Sequence, residues 1–385
     1  MVAAWPPSSR FVGETSVNRR DLLISTGAFA LAAGARAIAA DGDGTSKEAK
    51  DLYERAIVFD ANLAPPVYGD LPLKPEDLAM VRSSGVTAMK TSLGGTDAKF
   101  EDTIAEIAYF QRVVEYYPDV FLQIRQASDF ARAKRENKMG IIFSFESADM
   151  FEGKVERIEL FRDLGVRVMQ LSYNKTSPWA SGVMADPPNG LTDLGRKAVE
   201  AMNTQGVAID ISHANEATSK DVLTLSKPPV LITHAGCAAI HPHPRNKSDA
   251  LLKAVADKGG VVGIFDLPYL TASPKQPALD DYMAHMTHAL SVCGEDHVGI
   301  GSDSELGPFD LSPAGMDAFH KETERRQKTG VAAPEEDRPM YVIGLNTPRR
   351  SEVIADALLK RGYPARVAEK VLGSNFVGAL GRIWG

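Results

Sequence analysis

The feature that most constrains the fold is a rhythm of short apolar, β-branched runs, several of which end on a side chain able to bind a metal or move a proton. The clearest are Gly140 to Ser147, which carries Glu146, Val207 to Ala214, which carries His213, Pro229 to Gly236, which carries His234, and His297 to Glu305, which carries Asp303. Apolar runs of this length that lack polar alternation describe parallel strands covered on both faces by connecting helices. Parallel strands bring their C-terminal ends to one rim. Functional groups placed one per strand at that rim describe the working end of a (β/α)8 TIM barrel of the metal-dependent hydrolase type.

The remaining strand candidates are Arg55 to Asn62, Val86 to Ser92, Val166 to Asn174 and Gly260 to Asp266, which brings the set to eight. Amphipathic segments at helical spacing, such as Lys99 to Tyr117 and Leu194 to Gln205, lie between them and predict βαβ units. Thr176 to Leu191, rich in Pro and Gly, reads as a long loop on the side where substrate enters. Beyond Glu305 a Pro- and charge-rich stretch around Ala332 to Pro339 precedes two helical segments, Arg350 to Arg361 and Ala365 to Leu372, which predict a C-terminal helical extension.

With 385 residues and 44% hydrophobic content, one barrel with extensions fits better than two small domains. The formal net charge of −7, without a Lys/Arg-dense stripe, argues against a nucleic-acid surface. Residues 1–40 read as a signal peptide. Asn18-Arg19-Arg20-Asp21-Leu22-Leu23 gives a twin-arginine pattern, an apolar run follows from Leu22 to Ala33, and Ala37, Ala39 and Ala40 offer a cleavage site. The expectation is a periplasmic or secreted chain of one domain, 41–385, with no membrane span after signal removal. Cys237 and Cys293 are too few for a disulfide framework, and Cys237 reads as a small core residue rather than a ligand.

His213 and His234 stand at the ends of consecutive predicted strands, and Glu146 ends a third. Two imidazoles and a carboxylate at one rim suit zinc, which in catalytic sites takes three protein ligands and keeps a position open. Asp303 can move a proton beside such a cation. Arg245, in a proline-rich loop after the His234 strand, can grip a substrate carboxylate. His241 and His243 read as loop residues held by Pro242 and Pro244.

These residues are similar to a known set. Gly190-Leu191-Thr192-Asp193-Leu194-Gly195, Asp210-Ile211-Ser212-His213, Thr233-His234, Pro244-Arg245-Asn246, Gly299-Ile300-Gly301-Ser302-Asp303 and Leu372-Gly373-Ser374-Asn375-Phe376 together resemble the membrane (renal) dipeptidase family of zinc peptidases. The resemblance implies a distorted barrel, a two-zinc site and hydrolysis of dipeptides. It assigns Glu146 to the carboxylate between two metals, His213 and His234 to one zinc, Arg245 to the substrate carboxylate and Asp303 to acid/base work. A homodimer is implied only by the same resemblance.

The sequence also departs from the family. Where the family carries Asp-Gly-His-x-Asp at the end of the first strand, this chain has Asp60-Ala61-Asn62-Leu63-Ala64. Asn62 replaces the histidine and Ala64 the aspartate, so the first metal site reads as dismantled, and Asp60 lies too deep to rescue it. Tyr173 stands where many members carry a substrate-contacting histidine. Gly263-Ile264-Phe265-Asp266-Leu267 stands where Asn-Phe-Tyr is usual, and Glu305 replaces a second aspartate. Lys90, at the end of the second strand, is a candidate to compensate for a lost cation. The expected function is hydrolysis of a dipeptide or a related small amide with one zinc. The alternative is a barrel that binds small peptides or amino-acid derivatives without turning them over.

Overall fold

The computed structural model describes residues 44–385, so the twin-arginine segment lies outside the described residues. The strands are β1 (Phe59–Asp60), β2 (Leu63–Ala64), β3 (Ala88–Ser92), β4 (Phe121–Gln123), β5 (Met139–Phe145), β6 (Val166–Met169), β7 (Ala208–Ile209), β8 (Ile232–Cys237), β9 (Asn246–Lys247), β10 (Val262–Ile264), β11 (Val298–Ile300) and β12 (Ser304–Glu305). The main sheet runs in the order β7, β6, β5, β3, β1, β11, β10, β8, with every pairing parallel. A parallel bridge between Asp210 and Leu231 joins its two ends. There Ile211 N donates to Leu231 O and Leu231 N to Ile209 O, both at 2.9 Å. The ring of eight strands is thereby closed, as the sequence rhythm predicts.

Every predicted barrel strand is present, but most are shorter than the apolar run that announces them. The first and last break for one reason. After β1 and β11 the chain leaves the main ladder, and β2 and β12 pair with each other instead, with Ser304 opposite Leu63 and Glu305 opposite Ala64. The break falls at Asp303, whose φ of 57° lies in the left-handed region that non-glycine residues seldom adopt. A strained residue at the rim of a barrel is a mark of function rather than of stability. The sequence reading did not include β4, which shares an edge of β5 with β6: β4 pairs with Met139–Ile141 and β6 with Phe143–Phe145. A run of three residues carries too little periodicity to announce itself.

Several helices on the outside bury an apolar stripe, such as Ala198, Val199 and Met202 of Asp193–Gln205 and Leu251, Leu252 and Val255 of Asp249–Asp257. Their starts are set by local chemistry: Thr192 accepts from Gly195 N at 3.1 Å, Asn215 from Thr218 N at 2.8 Å and Ser248 from Leu251 N at 3.3 Å. At the N-terminal ends of the strands the barrel is closed by the C-terminal helix Asn375–Trp384. Its Phe376, Leu380 and Ile383 join Phe59, Ile142, Val168 and Val261 in one apolar cluster. Asn375 Nδ2 donates to Glu295 O and Val298 O, both at 2.8 Å, which pins that helix to the start of β11. The extension predicted as two helices is Arg350–Lys360 and Ala365–Glu369, the second continuing through a wider turn, Lys370–Ser374. A further helix, Pro313–Thr329, follows β12 and was masked in the sequence by its charge-rich composition.

Candidate metal centre

Glu146 directly follows β5, His213 follows β7, and His234 lies within β8. The topology brings these three buried side chains together, with one ligand atom of each within 4.8 Å of the others. His213 Nε2 and His234 Nε2 are 3.0 Å apart, and His213 Nε2 is 3.7 Å from Glu146 Oε2. For a tetrahedral ion with bonds of about 2.0–2.1 Å, ligand atoms sit about 3.4 Å apart, so these spacings bracket the requirement.

The hydrogen bonds behind the two imidazoles decide their tautomers. Asn174 Nδ2 donates to Val331 O at 2.9 Å, which turns Asn174 Oδ1 toward His213 Nδ1, 2.8 Å away. His213 Nδ1 therefore carries the proton. Thr233 Oγ1 donates to Asp210 Oδ2 at 2.5 Å, so its lone pair receives the proton on His234 Nδ1 at 2.8 Å. Both Nε2 atoms thus present lone pairs toward one shared point. Two lone pairs 3.0 Å apart repel, and a cation between them turns that repulsion into ligation. The donor set fits a divalent metal.

One device holds the rim at two places. Asp210 Oδ1 accepts from Ser212 N at 3.0 Å and from Thr233 N on the next strand at 3.1 Å. Asp60 Oδ1 likewise accepts from Asn62 N at 3.0 Å and from Ser302 N at 2.9 Å, while Asp60 Oδ2 accepts from Ser302 Oγ at 2.5 Å. Each aspartate stitches its own strand end to a neighbour, which fixes His213 and His234 in one case and Asn62 and Asp303 in the other. Burial raises the pKa of Asp60, and the Ser302 and Asn62 donors oppose that rise. Its carboxylate is committed to the scaffold. Sequence reasoning missed Asn174 and the bracing role of Asp210 and Asp60, although the repeated pattern Asp-x-Ser/Asn at two strand ends was a signal for it.

Asn62 lies across the site. Its Nδ2 donates to Glu146 Oε1 at 2.9 Å and to Asp303 Oδ1 at 2.7 Å, and Asp303 N donates back to Asn62 O at 2.7 Å. Asp303 Oδ2 is 4.0 Å from His234 Nε2. Ala64, opposite Glu305 in the small rim sheet, offers no ligand atom. Lys90 is buried, and its Nζ donates to Ser144 Oγ at 3.3 Å, so it does not reach solvent. Gly301 makes the convergence of strands possible, because a Cβ there would stand 1.8 Å from Thr233 O.

These groups open onto a cavity of about 440 Å3, lined by Asn62, Glu146, Asp303, Tyr173 and Arg245 among others. Tyr173 stacks on His213 with ring centroids 4.0 Å apart, and its hydroxyl accepts from Arg326 Nη2 at 3.3 Å. Arg326 and its ion-pair partner Glu336 were not foreseen; they come from the helix and loop that follow β12. Arg245, which a surface loop would have left solvated, is only 2% exposed, and its Nε and Nη2 have no hydrogen-bond partner. A buried guanidinium left in this state calls for an anion. His241 bonds Glu335 Oε2 at 3.1 Å and His243 bonds Pro334 O at 2.8 Å, so neither faces the centre. Cys237 is buried, with Sγ 3.4 Å from His285 O, and burial pushes its thiol well above the ordinary range.

Fold and site together define a parallel (β/α)8 barrel with a candidate metal centre at its rim, and comparison with known proteins supplies the family. Residues 47–321 match the family described as membrane dipeptidase (peptidase family M19), and the chain belongs to it. Dipeptidase tcpJ of Claviceps purpurea is 28% identical over 286 residues, which cover 74% of this chain; the chain spans 60% of that relative's length. A crystal structure of an amidohydrolase from Pseudomonas aeruginosa is 30% identical, with a TM-score of 0.76 over 88% of this chain and 99% of that one. A metallo peptidase from Rhodobacter sphaeroides, liganded with a phosphinate mimic of the dipeptide L-Ala-D-Ala, shares the fold at 20% identity, with a TM-score of 0.69 over 86% of this chain and 100% of that one. Membership implies a metal, and Glu146, His213 and His234 are the candidate site for it. No helix among the described residues is long and apolar enough to cross a membrane.

Proposed function

We propose that this chain is an exported hydrolase that cleaves the amide bond of a dipeptide or a related small amide with a single zinc ion. The observation that carries the reading is the pair of Nε2 lone pairs of His213 and His234 meeting at 3.0 Å beside Glu146. Zinc held by these residues would supply Lewis acidity toward a carbonyl and a water. In this reading Asp303, held by Asn62, takes a proton from the attacking water and passes it to the departing nitrogen. Arg245 receives the carboxylate of the substrate. Tyr173, stacked on His213, closes the wall beside it and contacts the substrate.

A single ion is proposed because Asn62 replaces one ligand of the second site, Ala64 replaces another, and the Asn62 amide fills the place between Glu146 and Asp303. Export is proposed from the twin-arginine pattern at Arg19-Arg20 and the small residues before Asp41. A dipeptide library assayed with the zinc-loaded protein tests the activity. Turnover that disappears in His213→Ala supports it, and one bound metal without turnover of any dipeptide or related amide points instead to a binding protein.

A further inference from the structure

Asp266 follows β10, in the stretch where this chain departs from the usual Asn-Phe-Tyr of its family. Among the described residues, Asp266 and Arg245 are the two charged side chains that both line the cavity and keep a buried polar atom without a hydrogen-bond partner. In Asp266 that atom is Oδ1. The carboxylate's protein donors are Arg350 Nη1, which reaches Oδ2 at 3.2 Å, and the Ser304 hydroxyl, and neither serves Oδ1. The same guanidinium donates to Glu305 O at 2.7 Å and Gly307 O at 3.2 Å and also bonds the Ser304 hydroxyl, so it cannot turn to serve Oδ1.

Strand order places Asp266 around the rim. β8, β10 and β11 are neighbours, so the loop after β8 brings Arg245, the end of β10 brings Asp266, and the turn after β11 brings Asp303, in that order. The Arg245 guanidinium lies 6.0 Å from the ring of Phe265, the residue before Asp266. In the function proposed above, on which this inference rests, Arg245 holds the carboxylate of the departing residue and Asp303 protonates its nitrogen. The nitrogen met by Asp303 carries the peptide N–H, one bond from the Cα that bears the carboxylate held by Arg245, and that N–H needs a partner of its own.

We propose that Asp266 Oδ1 accepts a hydrogen bond from the N–H of the scissile amide, which positions the departing nitrogen between Arg245 and Asp303 and makes the site selective for secondary amides over esters. A buried carboxylate oxygen without a donor is costly, and the substrate supplies the donor that the protein withholds. The bond is made with the intact amide, and no bond to Asp266 forms or breaks in the reaction. Burial pushes the Asp266 carboxyl up to about 7, so Oδ1 is the acceptor described here in the ionised form, which prevails above that pH.

The test compares, at pH 8 where the Asp266 carboxyl is ionised, Ala-Ala with the depsipeptide alanyl-lactate, in which oxygen replaces the N–H, on zinc-loaded wild type and Asp266→Asn. Arg350 requires an acceptor, so the asparagine commits its oxygen to Arg350 and presents its NH2 group to the cavity. The loss of kcat/KM on Ala-Ala should be about 10- to 100-fold, the size of a hydrogen bond to a charged group. On the depsipeptide it should stay within about threefold. Equal losses on both substrates, or no loss on Ala-Ala, would overturn the proposal.

A measurement on the wild type alone guards against a variant that fails to fold. The protein should bind a phosphonamidate dipeptide mimic, which carries the N–H, at least about tenfold more tightly than the matched phosphonate, which carries oxygen. Equal affinity would overturn the inference while leaving the hydrolase reading intact. A wild type that cleaves neither substrate and binds neither mimic would overturn that reading and this inference with it.

Discussion

Asn62 Nδ2 donates to Asp303 Oδ1 at 2.7 Å, and the amide's other hydrogen reaches Glu146 Oε1 at 2.9 Å. One neutral side chain thus spans two carboxylates at the place where the family resemblance implies a second cation. Two negative groups this close are tolerable without a positive charge only when each is given a donor.

The first prediction reverses that replacement. Asn62→His combined with Ala64→Asp restores an imidazole and a carboxylate beside Glu146, and the expected result is one additional zinc per chain by elemental analysis. Asn62→Leu alone removes both donated hydrogen bonds, and kcat should fall about 5- to 100-fold, corresponding to roughly 1–3 kcal/mol.

Asn174 tests the tautomer argument. Its Oδ1 holds the proton on His213 Nδ1 at 2.8 Å, so Asn174→Leu removes the group that points the Nε2 lone pair at the metal. Zinc affinity, read by competition with a chromophoric chelator, should weaken about 10- to 100-fold while the thermal transition stays cooperative.

Arg245 gives a substrate-side prediction. Arg245→Met keeps much of the volume and removes the charge, and KM for a dipeptide should rise about 10- to 100-fold. A dipeptide amidated at its C-terminus lacks the carboxylate and should be cleaved about equally by wild type and variant.

Much of this arrangement was legible in the sequence because barrel register forces it. Strand ends are fixed to one rim, so Glu146, His213, His234 and Asp303 could be brought together from the order of apolar runs alone. The rim sheet of β2 and β12 was not legible. It depends on Asp303 adopting φ 57°, a conformation that no local pattern announces. Arg326 and Asn174 were hidden for another reason: each gains its role from a contact more than 150 residues away in the chain, such as Asn174 Nδ2 to Val331 O. The buried state of Arg245 was equally invisible, since a proline-rich loop reads as surface until distant contacts such as His241 to Glu335 and His243 to Pro334 hold it against the barrel.

Asp266 predicts a pH dependence of stability. Burial raises its folded-state pKa to about 7 from 3.8, with the Arg350 guanidinium opposing the rise. Between those two pH values the folded chain holds a proton that the unfolded chain has released, so stability falls as pH climbs through this window and levels off above it. Asparagine resembles the protonated form. Asp266→Asn should therefore stabilise the protein at pH 8, by at most about 4 kcal/mol, and have little effect near pH 4, as read from urea midpoints.

The most direct test of the central claim is the zinc content of the purified full chain, measured by elemental analysis after exhaustive dialysis, alongside His213→Ala. Glu146, His213 and His234 as a lone centre, with Asn62 in the neighbouring place, predict one zinc per chain in the wild type and none in the variant. Two zinc ions per chain, or one that survives His213→Ala, would contradict the account.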